Sequence, residues 1–247
     1  MYKIQARNSI PRIRFHIAAA AVLFVSFAAA SHAAIVGYTD PVAFFAAVGG
    51  SQKTVDFEST AGGTVLSDPA EFGDLSLSFT PGDGSDVELF VTDFLSQTTP
   101  GGLNSLGVNS GDEAFLSGDV IDFGFDNPIT AFGLYVIGSP GDVIADDFGL
   151  TLGDTTLFNA GLPLTTLADG GEVFFLGLID DAPAGHSSAR LESFDPTNEG
   201  LFLFNVDDIT YVEAQEAVPV PALNPASIPL LLGLMSFVGV GTRRQAL

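Results

Sequence analysis

The stretch DVIDFGFDNPITAFGLYVIG (Asp119–Gly138) holds two apolar runs, Val120–Phe125 and Ile129–Ile137, on either side of Asp126-Asn127-Pro128. Each run is short, rich in Val, Ile and Phe, and bounded by turn-forming residues, which predicts two β-strands. The pattern repeats outward in both directions. Thr54–Phe57, Leu75–Phe79 and Val87–Val91 precede it, and Phe148–Leu152, Val173–Ile179, Ala189–Phe194, Leu201–Phe204 and Ile209–Val212 come after it, separated by Gly, Asp, Pro and Ser. About ten strands at this spacing predict an all-β fold, an antiparallel β-sandwich. In Leu75-Ser-Leu-Ser-Phe79 the apolar side chains alternate with serines, so one face of that strand belongs to a core and the other to water.

The aromatic content fits such a core. The chain has 22 Phe and no Trp, and a Phe ring carries no polar atom that would need a buried partner. Phe123, Phe125, Phe174, Phe175, Phe202 and Phe204 fall inside strand patterns and are assigned to the core. One short helix precedes the strands. Asp40 stands as its N-cap, Pro41 at its first turn and Gly49-Gly50 just past its end, which delimits about two turns.

The charge is unevenly placed. All 30 carboxylates lie between Asp40 and Glu216, and only Lys53 and Arg190 oppose them there, which leaves the middle of the chain near −28. Lys3, Arg7, Arg12 and Arg14 precede it, and Arg243 and Arg244 lie beyond it. A body so acidic repels phosphate backbones and excludes nucleic acid as a partner. With no Cys, disulfides, thiolate nucleophiles and Cys-type metal sites are excluded as well.

Both ends read as addresses. Four basic residues are followed by the apolar run Ile17–Ala30 and by Ser31-His32-Ala33, the layout of a secretory signal peptide over residues 1–33, with cleavage between Ala33 and Ala34. The acidic sandwich domain is then residues 34–217. Beyond it, Val218-Pro219-Val220-Pro221-Ala222 forms a stiff linker, Ile228–Gly241 is a second apolar run, and Arg243-Arg244 closes it three residues before the end. The same run also suits an ordinary C-terminal anchor, and both readings bring residues 218–247 into contact with a membrane.

That order of Pro motif, apolar helix and Arg cluster resembles the PEP-CTERM sorting signal in its V-P-x-P-A form, carried here by Val218, Pro219, Pro221, Ala222, Arg243 and Arg244. Val220 stands where the name-giving Glu would be. The resemblance implies an exported protein of a Gram-negative bacterium, processed by signal peptidase and an exosortase. It also implies delivery to the envelope or to a matrix of extracellular polysaccharide. TVDFES (Thr54–Ser59), Asp119–Gly138, VFFLGLIDD (Val173–Asp181) and FLFNVDDITYVE (Phe202–Glu213) resemble the jelly-roll-like ectodomains that accompany such signals.

Three constellations carry candidate chemistry. Asp56 and Glu58 beside the first strand, and Asp207 and Asp208 at the last, would meet if the terminal strands pair. Glu58 with Asp207 and Asp208 is the candidate metal set, with Ca²⁺ as the cofactor, because Ca²⁺ takes six to eight oxygen ligands. A calcium-assisted carbohydrate-binding module is accordingly the alternative to a plain surface protein, although sugars stack on Trp and Tyr and the body offers only Tyr38, Tyr135 and Tyr211. The clusters Pro81–Glu88 and Asp142–Asp147 lack the spacing of an EF-hand and read as solvated turns. His186, in a loop of small residues beside Ser187 and Ser188, has no G-x-S-x-G elbow to support a nucleophile. No catalytic residue is assigned.

Overall fold

The computed structural model describes residues 34–93, 102–182, 184–194 and 201–215. The segment read as a signal peptide with its Ala33, the residues Val218 to Ala222 and Arg243-Arg244 read as a sorting motif, and both apolar runs lie outside the described residues. Among the described residues no helix is long and apolar enough to cross a membrane.

In chain order the elements are β1 (Val36–Tyr38), α1 (Pro41–Ala47), β2 (Gln52–Val55), β3 (Thr64–Val65), β4 (Ala70–Phe72), β5 (Leu75–Thr80), β6 (Leu89–Thr92), β7 (Ser105–Val108) and β8 (Phe115–Leu116). They continue with β9 (Val120–Gly138), β10 (Phe148–Leu152), β11 (Thr155–Phe158), β12 (Thr165–Thr166), β13 (Glu172–Ile179), β14 (His186–Ser193) and β15 (Leu203–Glu213). Every strand pairing is antiparallel.

The central correction to the sequence reading is β9. The two predicted strands are one 19-residue strand that takes part in two sheets. Its first half pairs with β5 and β14, β14 pairs onward with β10, and β10 with β11. Its second half pairs with β13 and β15. Asp126, Asn127 and Pro128 between the halves are exposed. Pro128 has no N–H to give a ladder, so it is tolerated where the strand leaves one sheet for the other. The two halves close on each other like a hinge: the Phe132 ring lies 4.8 Å from that of Phe123 and 5.5 Å from that of Phe125. Leu75, Leu77, Ile121 and Phe123 from one sheet and Phe132, Leu134, Val136, Leu176 and Phe204 from the other form one buried core, which makes the fold a β-sandwich.

Burial along β9 records the difference between the halves. Residues 120–125 alternate between partly exposed and buried, and residues 131–138 are buried on both faces. The outer face of the second sheet is covered by α1, whose Phe44 packs on Tyr135, Phe175 and Val212. The helix follows its sequence signals: the Asp40 side chain accepts from Val42 N at 2.9 Å, and Pro41 fills the first turn. Gly133 and Gly177 make its seat. A Cβ on Gly177 would stand 2.6 Å from Phe44 Cδ2 and 2.8 Å from Phe175 Cε1. Gly177→Ala is therefore expected to lift α1 and lower stability by about 1–3 kcal/mol, the usual cost of overpacking, measurable as a fall in thermal midpoint.

The predicted Leu201–Phe204 and Ile209–Val212 likewise merge into β15. The six Phe assigned to the core are all buried, from 0% exposed at Phe123 and Phe204 to 8% at Phe125. Lys53 bridges Asp74 and Glu213, tying the turn before β5 to the end of β15.

Candidate functional site: the acidic bulge on β15

One edge of β15 is shared by three partners. β8 pairs at Leu203–Phe204, β7 at Val206, and β2 from Ile209 to Val212. Between Val206 and Ile209 neither β7 nor β2 is in register, and Asp207 and Asp208 occupy that gap. On the opposite edge Asp207 faces Tyr135, and the register then slips, so that Thr210 faces Gly133. The slip is a β-bulge, with two residues set against one on the partner strand. Asp208 sits in the left-handed region at φ 47°, and on the approaching strand Phe57 does the same at φ 57°. Non-glycine residues held there carry backbone strain that the surroundings must impose.

The terminal strands pair as the sequence reading expects, and the four acidic residues come into electrostatic range. Asp207 is 1% exposed. Burial, followed by the neighbouring charges of Asp208, Glu58 and Asp56, pushes its carboxyl up to about 9. Burial and then Asp56 and Glu58 push Asp208 up to about 7. Tyr135 is raised by burial and by Asp208, Asp207 and Asp40.

The individual roles differ from those expected. Glu58 is exposed, and its Oε1 accepts from Leu103 N at 2.6 Å and Asn104 N at 2.7 Å. It clamps the loop ahead of β7 to the turn after β2. Asp56 Oδ1 accepts from Glu58 N. Asp207 Oδ1 accepts from Asp208 N at 2.8 Å. Among the described residues no three His, Asp or Glu side chains stand close enough to hold a metal ion by themselves.

Neutral oxygens complete the picture. Among the described residues three buried side-chain oxygens lack a hydrogen-bond partner: Ser105 Oγ, Asn205 Oδ1 and Asp208 Oδ2. They belong to neighbouring positions. Ser105 precedes Leu106, the β7 residue paired with Val206, and Asn205 shares a face with Asp207 two residues away. Asn205 Nδ2 donates to Glu113 O at 3.0 Å and to Leu106 O at 3.3 Å. Two carbonyl acceptors fix the orientation of the amide and leave Oδ1 as the orphan. An unpaired buried polar atom costs about 1–3 kcal/mol, and here one carboxylate oxygen and two neutral oxygens bear that cost. Carboxylate, amide and hydroxyl oxygens are hard donors, the kind that suit Ca²⁺ better than a softer metal. Sequence reasoning found Asp207 and Asp208 and missed Ser105 and Asn205. The available signal was the polar pair Asn205 and Asp207 at alternate positions inside an apolar run.

The other acidic clusters serve turns. Asp83 Oδ1 accepts from Ser85 N, and Asp142 Oδ2 accepts from Ser139 Oγ. Asp147, expected in solvent, is 2% exposed and accepts from Ile144 N. His186 opens β14 instead of lying in a loop, and its Nε2 is 2.7 Å from Asp180 Oδ2. Ser187 and Ser188 are exposed.

No family model matches the chain, and no curated protein matches it. Among solved structures, a cleaved adhesin domain of Lys-gingipain aligns over 66% of this chain and 99% of its own, at 16% identity and a TM-score of 0.40. A structure described as carbohydrate-binding modules from the β-sandwich superfamily aligns over 61% of this chain and 62% of its own, at 15% identity and a TM-score of 0.31. At these values the likenesses carry no argument about ligand or role.

Proposed function

We propose that this is an exported, non-enzymatic surface or matrix protein whose sandwich is locked by a calcium ion at the β15 bulge. The observation that supports it is the bulge itself: Asp207 and Asp208 are adjacent, and Asp208 Oδ2, Asn205 Oδ1 and Ser105 Oγ are buried there without partners. Asp207, Asp208, Asn205 and Ser105 would hold the ion. Bound calcium would neutralise the two carboxylates and fasten β7, β2 and β15 at the point where their ladders part. Glu58 contributes from outside, by holding the loop ahead of β7 and by adding negative potential. The ion's role is structural, and no reaction is assigned to it.

Calcium is abundant outside cells, and extracellular modules bind it with dissociation constants of about 10⁻⁴–10⁻³ M. A site of that class suits the exported state implied by residues 1–33. The C-terminal motif adds the route: residues 218–247 resemble an exosortase sorting signal, so the mature chain starts at Ala34 and loses the apolar run and Arg cluster beyond the Val218–Pro221 region. Intact mass spectrometry of surface or secreted material checks the route, and a product that retains residues 228–247 contradicts it. The cation reading is checked separately, by the thermal midpoint in calcium against EDTA. At a calcium level about a hundredfold above the dissociation constant the gain is about 2.7 kcal/mol, roughly 5–10 °C for a domain of this size.

A further inference from the structure

The outer face of the first sheet is polar and carries a groove. Its strands are β5, the first half of β9, β14, β10 and β11, and their registers set the side chains in rows. Along the central row Ser78 faces Asp122, Asp122 faces Arg190, Arg190 faces Thr151, and Thr151 faces Thr156. One flanking row carries Ser76, Gly124 and Ser188, and the other carries Glu192, Gly149 and Phe158. The face is thus paved with hydroxyls and glycines around the charged side chains Asp122, Arg190 and Glu192. A shallow groove of about 660 Å³ runs over it, lined by Asp122, Arg190, Thr151, Thr156, Gly153 and His186 among others.

Arg190 is one of only two cations in the acidic body. It is held flat on the sheet, with Nε 2.7 Å and Nη2 3.3 Å from the two oxygens of Asp122, and Glu192 lies 3.6 Å from Nη1. An exposed ion pair adds little to stability. Its geometric property is a planar, fixed array of donors and acceptors. Thr151 and Thr156 share a hydroxyl–hydroxyl hydrogen bond of 2.8 Å beside it. At the rim Phe158 is 44% exposed, and its ring lies 6.0 Å from that of Phe194. Both rings settle over Gly149, where a Cβ would stand 2.9 Å from Phe194 and 3.2 Å from Phe158. The rings are positioned outward by the alternation that sends Leu157 into the core.

We propose that this face binds a chain of neutral polysaccharide, with Phe158 and Phe194 as the ring platform and the Asp122–Arg190 pair and the Thr151–Thr156 hydroxyls as the polar contacts. A sugar presents an apolar ring face and a rim of hydroxyls that both donate and accept. The polar array lines the groove, and the Phe158 and Phe194 rings stand beside it over Gly149, next to Thr156, so the face sets an aromatic platform against donors and acceptors of matching kind. Four strands spaced by about 4.8 Å give roughly 14 Å of width, room for several sugar units. Charge decides between polymers. Arg190 is already neutralised by Asp122 and Glu192, and the surrounding body is near −28, so polyuronates and phosphates are repelled. The face is separate from the β15 bulge, which lies on the other sheet.

The test is affinity electrophoresis of the full chain, in native gels containing soluble β-glucan, galactomannan or dextran, with a polyuronate gel alongside. The natural protein is expected to be retarded in at least one neutral gel and not in the polyuronate gel. Phe158→Ala and Arg190→Ala are each expected to weaken that retardation about tenfold or more. Both residues are exposed, so the thermal midpoint of each variant stays within about 2 °C of the natural one. Retardation is expected to be the same in calcium and in EDTA, which separates failure of the cation site from failure of this face. Unaltered migration in all neutral gels, retardation by polyuronate alone, or full retardation of both variants overturns the proposal.

Discussion

Asp208→Asn is expected to stabilise the protein in EDTA and to destabilise it in calcium, relative to the natural chain. Few substitutions reverse sign with a single buffer component, and the reason here is electrostatic. Without a cation the Asp208 carboxylate has a buried oxygen with no partner and stands in the field of Asp56 and Glu58. Removing its charge relieves the repulsion and the cost of burying an ionised group, by about 1 kcal/mol, which is a few degrees of thermal midpoint for a domain of this size. With calcium present the same change deletes a charged ligand and forfeits most of the roughly 2.7 kcal/mol that saturating ion supplies. Differential scanning calorimetry of both proteins in both buffers reads the crossing directly. Parallel shifts of equal size in the two buffers would sink the assignment of Asp208 as a ligand.

The same two carboxyls set a pH dependence in EDTA. Asp207 and Asp208 are raised to about 9 and about 7, well above their value in an unfolded chain, about 3.9. Between those limits the folded state binds more protons than the unfolded state, so stability falls as pH rises. The contribution is whole below about pH 4 and is lost as pH climbs through the two folded values. The thermal midpoint in EDTA is therefore expected to drop from pH 6 to pH 9, and Asp208→Asn to flatten that slope. Calcium flattens it as well, because a bound ion favours both ionised forms.

Phe132→Ala is expected to be among the most damaging truncations of the core, at about 3–5 kcal/mol, or roughly 10 °C in thermal midpoint. Phe132 is fully buried on the second half of β9, and its ring meets Phe123 and Phe125 from the first half of the same strand. Its loss opens a void at the hinge of the sandwich, where neither sheet can move inward without bending β9 further. Phe158→Ala, on the wet face, is the matched control. If both substitutions cost the same, the two halves of β9 do not pack on each other through Phe132.

The strands that sequence alone made legible are those with enough residues to show a period. Leu75-Ser-Leu-Ser-Phe79 alternates over five residues, and all three apolar side chains are buried. The runs around Asp119–Gly138 and Phe202–Glu213 were placed correctly as strands, yet their continuity was hidden. Asp126-Asn127-Pro128 and Asn205-Val-Asp-Asp208 have the composition of turns, and in the fold they are a crossing and a bulge. β3, β8 and β12 have two residues each, too few for any periodicity. The acidic site was half legible for the same reason. Pairing of the first and last strands brings Glu58 near Asp207 and Asp208, whereas Ser105 enters only through the register of β7 on β15. The wet face was not foreseen. Attention to Trp and Tyr pointed away from it, because Tyr135 and Tyr211 are 7% and 3% exposed, while the aromatic ring facing water there is Phe158.

A cation lock at the β15 bulge is tested most directly by isothermal titration of calcium into EDTA-stripped, dialysed full chain. One saturable site per chain is predicted, with a dissociation constant of the order of 10⁻⁴ M, absent in Asp208→Asn. An isotherm without a saturable site, or with the same weak, unsaturated heats in both proteins as expected of a merely acidic surface, contradicts it.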